Sequence, residues 1–290
     1  MDKNFINNIT LNNGVQVPPI GFGVFRITDD KQCENAVLQA IQAGYRLIDT
    51  ASAYENEEAV GNAVRKSNVP REELFVTTKL WITDTSYEGA YRGLEKSLKR
   101  LQMDYVDLYV IHQPYNDYYG AWRALEEFYR QGKVRAIGVD NFTQDRLADF
   151  LFFNDIVPMV NLIECNAFFQ REEELQYMKE QHVQMMAWSP LAAGSSDLCN
   201  NTILCQIAEK YNKSVPQIIL RWLTQRGIVP LVKSIKTVRM KENLDIFDFM
   251  LTEADMDKIK ELDTGHSCFA PRKTGTEVHD FLKNAMNYHV

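Results

Sequence analysis

Short apolar runs recur along the chain, and amphipathic segments with helical spacing separate them. Eight of these runs have the length and the β-branched content of strands that are buried on both faces of a parallel sheet. They are GFGVFR (21–26), YRLIDTA (45–51), LFVTTKL (74–80), DLYVIHQ (107–113), VRAIGVD (134–140), MVNLIEC (159–165), QMMAWSP (184–190) and IVPLVKS (228–234). This alternation of strands and helices predicts an α/β fold with a mainly parallel sheet.

The helical patterns fill the intervals between the predicted strands. They are KQCENAVLQAIQA (31–43), NEEAVGNAVRKS (56–67), YEGAYRGLEKSLKRL (87–101), AWRALEEFYRQ (121–131), DRLADFLF (145–152), EEELQYMKEQ (172–181), NTILCQIAEKY (201–211) and PQIILRWLTQR (216–226). Ser214 is placed to cap the last of these, with Pro216 in its first turn. An opening hairpin, FINNIT to VQVPPI (5–20), is predicted around Asn13-Gly14, and a capped helix is predicted to begin after Thr252.

Eight strands that alternate with helices favour a closed (β/α)₈ barrel over an open, doubly wound sheet. An open sheet that bound a dinucleotide would carry G-x-G-x-x-G after its first strand, but Gly21 and Gly23 are followed by Arg26 at the third glycine position. No linker or charge block divides the chain. We therefore interpret residues 1–290 as one TIM barrel domain with an N-terminal β-hairpin and extra C-terminal helices, and we expect the polar tail, 266–290, to lie across one end.

The composition argues against several classes of protein. Hydrophobic residues make up 45% and charged residues 24%, which is typical of a globular protein, and the net charge of −7 argues against general nucleic-acid binding. The N-terminus has no apolar signal core, and no stretch approaches the length of a membrane span. Five cysteines with no CxxC pair are interpreted as reduced thiols. We expect a cytoplasmic protein with neither nucleic acid nor membrane as partner.

Four polar residues lie where three successive predicted strands end: Asp49, Tyr54, Lys79 and His112. Ligands bind at the carboxyl ends of the strands in parallel α/β folds. A tyrosine has a pKa of about 10, and a cationic lysine beside it lowers that pKa while a carboxylate holds the lysine in place. A histidine can donate a hydrogen bond to a carbonyl oxygen. The four residues are therefore the set needed to protonate a carbonyl oxygen as hydride reaches its carbon.

Each of these residues, taken alone, can also have a purely structural role. A histidine at a strand end, for example, usually forms its hydrogen bonds with the backbone. A metal site is disfavoured, since no second His or Cys stands at ligand spacing from His112. A serine hydrolase is disfavoured by the lack of G-x-S-x-G.

A cluster of positive charge follows the eighth predicted strand and consists of Lys233, Lys236, Arg239 and Lys241. A strand ends and a helix begins there, so backbone N–H groups and cations converge in a chain that is acidic overall. Such a combination predicts an anion site, and barrels often bind phosphate around strands seven and eight. The alternative is a solvated basic face.

Three segments carry a resemblance to a known family: GYRLIDTASAYENEEAVGNAVR (44–65), DLYVIHQP (107–114) and LVKSIKTVRMKENLDIFDF (231–249). In order and spacing they resemble the signatures of the aldo-keto reductase family, and the likeness runs from about residue 20 to 262. The stretch HQPYNDYYGAWRALEEFYRQGKVRAIGV (112–139) resembles the bacterial branch that contains diketogluconate, methylglyoxal and prostaglandin F synthase-like reductases.

The resemblance implies an NADP-dependent oxidoreductase that reduces a small aldehyde or ketone to an alcohol. In that family pattern Tyr54 is the general acid, Lys79 and Asp49 tune it, and His112 orients the carbonyl. NADP(H) would lie extended across the barrel mouth without a Rossmann fold. The coenzyme positions are Lys233, Ser234 and Arg239 for the 2′-phosphate, Glu242 and Asn243 for the adenosine end, Ser189 and Leu191 for the pyrophosphate, and Trp188, Asp140 and Asn141 for the nicotinamide.

Three departures from the family pattern surround the nicotinamide positions. Asp140-Asn141-Phe142 replaces Ser-Asn-Phe, Asn161-Leu162 replaces Asn-Gln, and Trp188 replaces a stacking Tyr. Since Leu162 offers no donor, Asn141 is the candidate donor to the carboxamide oxygen. An ionised Asp140 would favour the cationic NADP⁺ over NADPH, and this is a hypothesis for the structure to examine.

Phe25 and Trp81 resemble family positions that line the substrate pocket, and core packing is their alternative. The rival function is a coenzyme-sensing or structural barrel with negligible turnover, and a narrower rival is an enzyme whose physiological direction is alcohol oxidation. We expect a monomer, as the resemblance implies.

Overall fold

The computed structural model describes residues 8–270 and 272–288. A two-stranded antiparallel hairpin, β1 (Ile9–Thr10) and β2 (Gln16–Val17), precedes a closed barrel of eight parallel strands. In chain order the barrel strands are β3 (Gly21–Gly23), β4 (Leu47–Asp49), β5 (Phe75–Leu80), β6 (Val106–Ile111), β7 (Val134–Asp140), β8 (Val160–Glu164), β9 (Gln184–Trp188) and β10 (Val229–Val232). The predicted (β/α)₈ TIM barrel with an N-terminal hairpin is confirmed. The first residues of the predicted hairpin, 5–7, lie outside the described residues.

Helices surround the barrel and close the connections between parallel strands. They are α1 (Asp30–Ala43), α2 (Glu57–Lys66), α3 (Tyr87–Leu101), α4 (Tyr118–Arg130), α5 (Gln144–Phe152), α6 (Glu172–Glu180), α7 (Ser196–Cys199), α8 (Thr202–Tyr211), α9 (Val215–Gln225), α10 (Thr237–Leu244), α11 (Glu253–Lys260) and α12 (Gly275–Ala285). None of the helices in the described part of the chain is long and apolar enough to cross a membrane.

The barrel strands are mostly buried, as their continuous apolar sequences predict, and the exceptions are Gly23, Arg135, Gln184 and Trp188. All six residues of β5 and all six of β6 are buried. The interior is narrow where β3 begins, because a Cβ added to Gly21 would lie 2.6 Å from the Leu231 side chain and 2.7 Å from that of Leu47. Only glycine fits between these leucines, which explains the small residue at this point of the first barrel strand.

Helix caps follow the sequence signals closely. The Thr252 hydroxyl accepts from the backbone N–H of Asp255, and the Asp255 side chain accepts from the backbone N–H of Thr252, so α11 begins with a capping box. At the start of α9, the Gln217 side chain accepts from the backbone N–H of Ser214 at 2.9 Å. These bonds satisfy N–H groups that a helix start would otherwise leave unpaired.

The C-terminal region contains the main difference from the predicted elements. The extra C-terminal helices are present, and α10 begins at Thr237, within the cluster of positive charge where a helix start was predicted. The tail contains α12, which was not predicted as a helix. The Trp81 indole N–H, just after β5, donates to the backbone oxygen of Ala285 at 2.9 Å. The tail therefore packs at the carboxyl end of the barrel strands. Residues 271, 289 and 290 of the predicted tail lie outside the described residues.

Candidate active site

The carboxyl ends of three neighbouring strands bring the four predicted catalytic residues together. Asp49 is the last residue of β4, Lys79 lies one residue before the end of β5, and His112 follows β6 directly. Tyr54 ends a short 3₁₀ helix that follows β4. The Ser52 hydroxyl, in the same 3₁₀ helix, donates to the backbone oxygen of Lys79 at 2.9 Å and so attaches the helix to β5.

The Lys79 ammonium is the centre of this cluster. Its Nζ donates to Asp49 Oδ2 at 2.7 Å, to the backbone oxygen of Thr50 at 3.0 Å and to the Tyr54 hydroxyl at 3.3 Å. Lys79 is 1% exposed and Asp49 is 4% exposed. An ammonium group has three N–H donors, and all three find acceptors here. The charge is therefore held at a defined distance from the Tyr54 hydroxyl.

Burial dominates the acidity of this group of side chains. It raises the pKa of Tyr54 above its ordinary value, while the charge of Lys79 opposes the rise and the carboxyls of Asp49 and Asp140 add to it. The predicted influence of Lys79 on the Tyr54 pKa has the right sign, but burial, which the sequence reasoning did not include, outweighs it. Burial lowers the pKa of Lys79, but the neighbouring acidic groups raise it by more, so the net pKa lies above the ordinary value of a lysine. Lys79 therefore stays protonated. Tyr54 therefore keeps its proton at neutral pH, which is the state that a proton donor requires.

His112 lies between aromatic rings at the edge of the cluster. The centre of its imidazole is 5.6 Å from the Tyr54 ring centre and 4.9 Å from that of Trp81, in edge-to-face geometry. Burial and the nearby charges of Lys79 and Arg272 lower the pKa of His112 well below its ordinary value. The neutral imidazole carries one N–H, so His112 can donate one hydrogen bond to a carbonyl oxygen.

Asp140 brings a further buried carboxyl to the same edge. It ends β7, is 2% exposed, and its Oδ2 lies 3.9 Å from Nε2 of His112. Its Oδ1 accepts from Asn141 Nδ2 at 2.7 Å, and the same amide nitrogen donates to the backbone oxygen of His112 at 3.1 Å. Both amide hydrogens of Asn141 are used in this way. Asn141 thus links Asp140 to His112 and has no spare donor for a ligand.

The protonation of Asp140 differs from the state that the sequence hypothesis assumed. Burial raises the pKa of this carboxyl well above its ordinary value, the charge of Lys79 lowers it, Asp49 raises it and Arg272 lowers it. The net direction favours the neutral carboxyl, so the assumption of an ionised Asp140 is wrong in direction. Leu162 pairs with Asp140 across the β7–β8 register and is fully buried.

The two predicted pocket residues both contact the cluster through their rings. Phe25 is 44% exposed, and its ring centre lies 5.0 Å from that of Tyr54. Trp81 is buried, contacts His112 and belongs to a small apolar cluster with Ala53 beside Tyr54. Phe25 can therefore contact a molecule at the mouth, whereas Trp81 also serves as the attachment point of the tail.

The tail contributes residues that the sequence reasoning did not single out. The Arg272 guanidinium donates to Gln113 Oε1 at 2.8 Å and lies 3.8 Å from the centre of the Phe281 ring. The Tyr288 ring centre lies 5.3 Å from that of Trp81. A sequence signal for α12 exists in Thr274-x-x-Glu277, a capping box that the structure forms. It would have indicated a helix, but not where the helix packs.

The positions after β9 lie in a strained turn. Trp188 ends β9 and is partly exposed, with its ring centre 5.2 Å from that of Phe269 in the tail. Ser189 has a left-handed φ of 53°, and its hydroxyl accepts from the backbone N–H of Ala193 at 2.9 Å. Leu191, two residues further on, is partly exposed. The indole face and the turn lie on the same rim as Asp49, Lys79 and His112, since they follow the carboxyl end of β9.

The basic segment follows β10 on the same rim. Its side chains, Lys233, Lys236, Arg239 and Lys241, are exposed, and none forms an ion pair with a described carboxylate. Burial and the charge of Arg26 lower the pKa of Lys233, so the first strand also brings a cation close to this segment. The Ser234 hydroxyl accepts from the backbone N–H of Lys236 at 3.0 Å. The arrangement is open to an anion.

The remaining two predicted coenzyme positions differ from each other. Glu242 is exposed on α10, where it is free to contact a ligand. Asn243 is buried close to Tyr45, whose hydroxyl donates to the backbone oxygen of Met240 at 3.2 Å. Asn243 therefore has a role in attaching α10 to the barrel whether or not it contacts a coenzyme.

Metal chemistry has no support in residues 8–270 and 272–288, where no group of three His, Cys, Asp or Glu side chains is placed to hold an ion. The cluster offers instead a protonated phenol, a fixed ammonium and a neutral imidazole at one barrel mouth. The site can therefore give a proton to an oxygen that is gaining electrons.

The family model described as the Aldo/keto reductase family matches residues 19–264. The chain belongs to this family. It is 49% identical to the glyoxal reductase of Bacillus subtilis over 263 residues, which cover 90% of this chain and 95% of that protein. It is 36% identical to the methylglyoxal reductase DkgA of Escherichia coli over 260 residues, 89% of this chain and 94% of that protein. The resemblance to this family and its bacterial branch is confirmed, and the protein is an oxidoreductase.

Solved structures agree with this membership. An aldo-keto reductase enzyme from a Medee basin deep-sea metagenome library superimposes with a TM-score of 0.89 at 43% identity, covering 92% of this chain and 98% of that one. The Bombyx mori aldo-keto reductase in complex with NADP superimposes with a TM-score of 0.87 at 33% identity, covering 91% of this chain and 94% of that one. The barrel is thus the aldo-keto reductase barrel.

Proposed function

We propose that this aldo-keto reductase reduces small aldehydes or ketones to alcohols with NADPH, and that Tyr54 is the proton donor. The observation that carries the proposal is the contact of the buried Lys79 ammonium with Asp49 and with the Tyr54 hydroxyl. The ring centre of His112 lies 5.6 Å from that of Tyr54. A buried ammonium stabilises the negative charge that develops on the phenol oxygen as its proton leaves. The same cluster would have no purpose in a barrel that served only as a scaffold.

Each member of the cluster has a distinct part in the reaction. Tyr54 gives its proton to the carbonyl oxygen, and the neutral His112 donates its N–H to the same oxygen and orients it. Lys79 stays charged and lowers the cost of the phenolate, and Asp49 keeps the ammonium in place. A bound nicotinamide supplies the hydride. The protein's contribution is thus to fix the carbonyl and to protonate its oxygen.

The described residues fit NADP(H) as the coenzyme. The basic segment presents four cations that no carboxylate in the described part of the chain pairs with, in a protein of net charge −7, and a coenzyme phosphate would satisfy them. The partly exposed Trp188 offers an indole face at the barrel mouth on which a nicotinamide ring can stack. We propose Lys233, Ser234 and Arg239 for the 2′-phosphate and Glu242 for the adenosine end. Support also comes from the Bombyx mori relative, whose structure holds NADP.

Small dicarbonyl compounds are the proposed substrate class. Two relatives are named glyoxal reductase and methylglyoxal reductase. The aromatic walls formed by Phe25 and Trp81 suit a small, weakly polar molecule held against Tyr54. Turnover of methylglyoxal, a diketo sugar acid, a quinone and an aromatic aldehyde, measured side by side, would rank these substrates.

The Tyr54→Phe variant tests the assignment of the proton donor. The change keeps the ring contacts with Phe25 and His112 and removes only the hydroxyl, so NADPH binding should survive. We expect kcat for methylglyoxal reduction, followed by the loss of NADPH absorbance, to fall by roughly 10²–10⁴-fold. Tyr177→Phe on the outer helix α6 is the matched control and should keep the wild-type rate. If Tyr54→Phe retains most of its kcat, Tyr54 is not the donor.

The proposal also covers the domain organisation, the oligomeric state and the cellular location of the protein. We propose that residues 1–290 form one domain, because one large hydrophobic core contains residues from Leu11 to Ile259. We also propose that the enzyme works as a monomer in the cytoplasm. Sedimentation equilibrium of the full chain measures the mass, and a dimer would contradict this part alone.

A further inference from the structure

Asp140 is a buried carboxyl that the reduction mechanism above does not use. We propose that Asp140 is a proton-exchanging group of the coenzyme site: it keeps its proton when reduced coenzyme is bound and releases it to solvent when oxidised coenzyme places a cationic ring beside it. The inference rests on the proposed function, because it requires that NADP(H) binds at this barrel mouth. It would make the preference for one redox form of the coenzyme depend on pH.

The contacts of Asp140 differ from those of the other buried carboxyl in the site. Asp49 has the Lys79 ammonium at 2.7 Å, so its charge is compensated inside the protein. Asp140 has no ammonium or guanidinium group within 4 Å in the described part of the chain, and its partners are the amide of Asn141 and the imidazole edge of His112. A buried carboxylate without a compensating charge is costly, so the neutral form is preferred until a cation arrives.

The charged and titratable groups that face Asp140 come from every element around it. They are Asp49 on β4, Tyr54 on the 3₁₀ helix, Lys79 on β5, His112 after β6 and Arg272 in the tail. Tyr54 and Lys79 have raised pKa values and His112 has a lowered one, so all three keep one state near neutral pH. Burial also raises the pKa of Asp49, but the Lys79 ammonium at 2.7 Å opposes that rise and compensates the Asp49 charge, a partner that Asp140 lacks. Asp140 is therefore the group of this set that is left to exchange a proton when a new charge appears.

The chemistry of hydride transfer places that new charge near Asp140. The carbonyl oxygen is held by Tyr54 and His112, and the reacting carbon atoms must approach to about 3–3.5 Å. A bound nicotinamide ring would therefore lie next to His112, whose Nε2 is 3.9 Å from Asp140 Oδ2. The oxidised ring is a cation and the reduced ring is neutral. Only the oxidised ring stabilises an Asp140 carboxylate.

The sign of the pH effect follows from this difference. Where Asp140 is protonated in the free protein, NADP⁺ binds with loss of a proton, so its affinity rises about tenfold for each pH unit gained. NADPH binds without that loss, so its affinity stays level with respect to Asp140. At about 5–6 Å and an effective dielectric constant of about 20, the attraction can change the ratio of the two affinities by up to about 100–300-fold.

Isothermal titration calorimetry of the full-length wild-type protein tests the proposal without any turnover. NADP⁺ and NADPH are each titrated, at several pH values, in two buffers with different ionisation enthalpies, and the number of protons released is read from the difference. The 2′-phosphate is common to both coenzymes, so its own protonation cancels when the two are compared. We expect more protons to be released with NADP⁺ than with NADPH. Equal proton release at every pH would overturn the proposal.

Three variants identify the group that exchanges the proton. Asp140→Asn keeps the shape and the contact with Asn141 but cannot ionise, and Asp140→Ser removes the carboxyl. In both, the difference in proton release and the pH dependence of the affinity ratio should disappear. Asp155→Asn removes an exposed carboxylate from the loop between α5 and β8, at the opposite end of the barrel, and should behave as wild type. If the difference persists in Asp140→Asn, another group releases the proton and the proposal is wrong.

The experiment also separates this inference from the proposed function. A wild-type protein that binds neither coenzyme contradicts both. A wild-type protein that binds both coenzymes and reduces methylglyoxal, but releases equal numbers of protons with each, contradicts only the role of Asp140. Because the wild-type measurement decides by itself, the test does not depend on the folding of the Asp140 variants.

Discussion

Replacement of Asp49 by asparagine removes one charge from the buried centre of the site. Asp49 Oδ2 accepts from Lys79 Nζ at 2.7 Å, and the two side chains are 6% and 2% exposed. Asparagine has nearly the same shape and still offers an oxygen to the ammonium. The Asp49→Asn change therefore isolates the charge of the carboxylate from its size and its hydrogen bond.

The expected cost is large because the ammonium stays behind in a buried place. Unit charges 2.7 Å apart interact by about 6 kcal/mol at an effective dielectric constant of about 20. Loss of one partner of a buried pair typically costs about 3–5 kcal/mol. Since asparagine keeps one hydrogen bond to Lys79, we expect the free energy of unfolding to fall by about 3 kcal/mol at neutral pH.

The pH dependence of this loss has a definite sign. In the wild-type protein, burial lowers the pKa of Lys79 and Asp49 raises it, and the net change is a rise. The stability that Lys79 contributes is therefore complete below the unfolded pKa of about 10.4 and is lost as the pH rises from there through the folded pKa. Without the carboxylate, burial dominates, and the folded pKa of Lys79 drops below the unfolded value. The folded variant then binds fewer protons than the unfolded chain, so its stability rises with pH. The gap between the two proteins should narrow from about pH 7 to about pH 10.

Urea unfolding followed by circular dichroism, at about pH 7 and about pH 9.5, measures the gap. Glu34→Gln removes the carboxylate of the exposed Lys66–Glu34 pair and is the matched control, with an expected cost below about 1 kcal/mol at both pH values. An Asp49→Asn loss below about 1 kcal/mol, or a gap that widens with pH, would refute the description of Lys79 as a buried cation that depends on Asp49.

Arg239→Ala should weaken NADPH binding by about 1.5–3 kcal/mol and leave NADH binding little changed, because only NADPH carries the 2′-phosphate. Titration with both coenzymes checks this, and equal weakening would exclude the phosphate contact. Gly61→Ala should destabilise the protein by about 1–3 kcal/mol in urea unfolding, since the added Cβ would lie 2.1 Å from the backbone oxygen of Leu101. Gly275→Ala is the control: its added Cβ meets no atom within 4 Å and should change the free energy of unfolding by no more than about 1 kcal/mol. If Gly61→Ala also changed the free energy of unfolding by less than about 1 kcal/mol, α2 would be able to move away from α3.

The sequence by itself was sufficient for the barrel and for the grouping of the four central residues. Buried parallel strands are continuous apolar runs, and for this reason β7 was predicted with both of its ends, at Val134 and Asp140. Polar residues that follow such runs lie at one rim of a parallel barrel, so Asp49, Lys79 and His112 could be placed together without a structure. Local patterns carry this information because the apolar run that forms a strand and the polar residues that follow it are adjacent in the sequence.

Tertiary structure alone decided what depends on distant segments. The Tyr54 pKa is raised because several elements bury its hydroxyl, and no local pattern reports that burial. The amide of Asn141 is used up by Asp140 and by the backbone of His112, which lies 29 positions away in the chain. The tail helix α12 reaches Trp81 across 204 positions. Desolvation and long-range hydrogen bonds depend on how the chain closes in space, so the protonation states of this site could be read only from the folded protein.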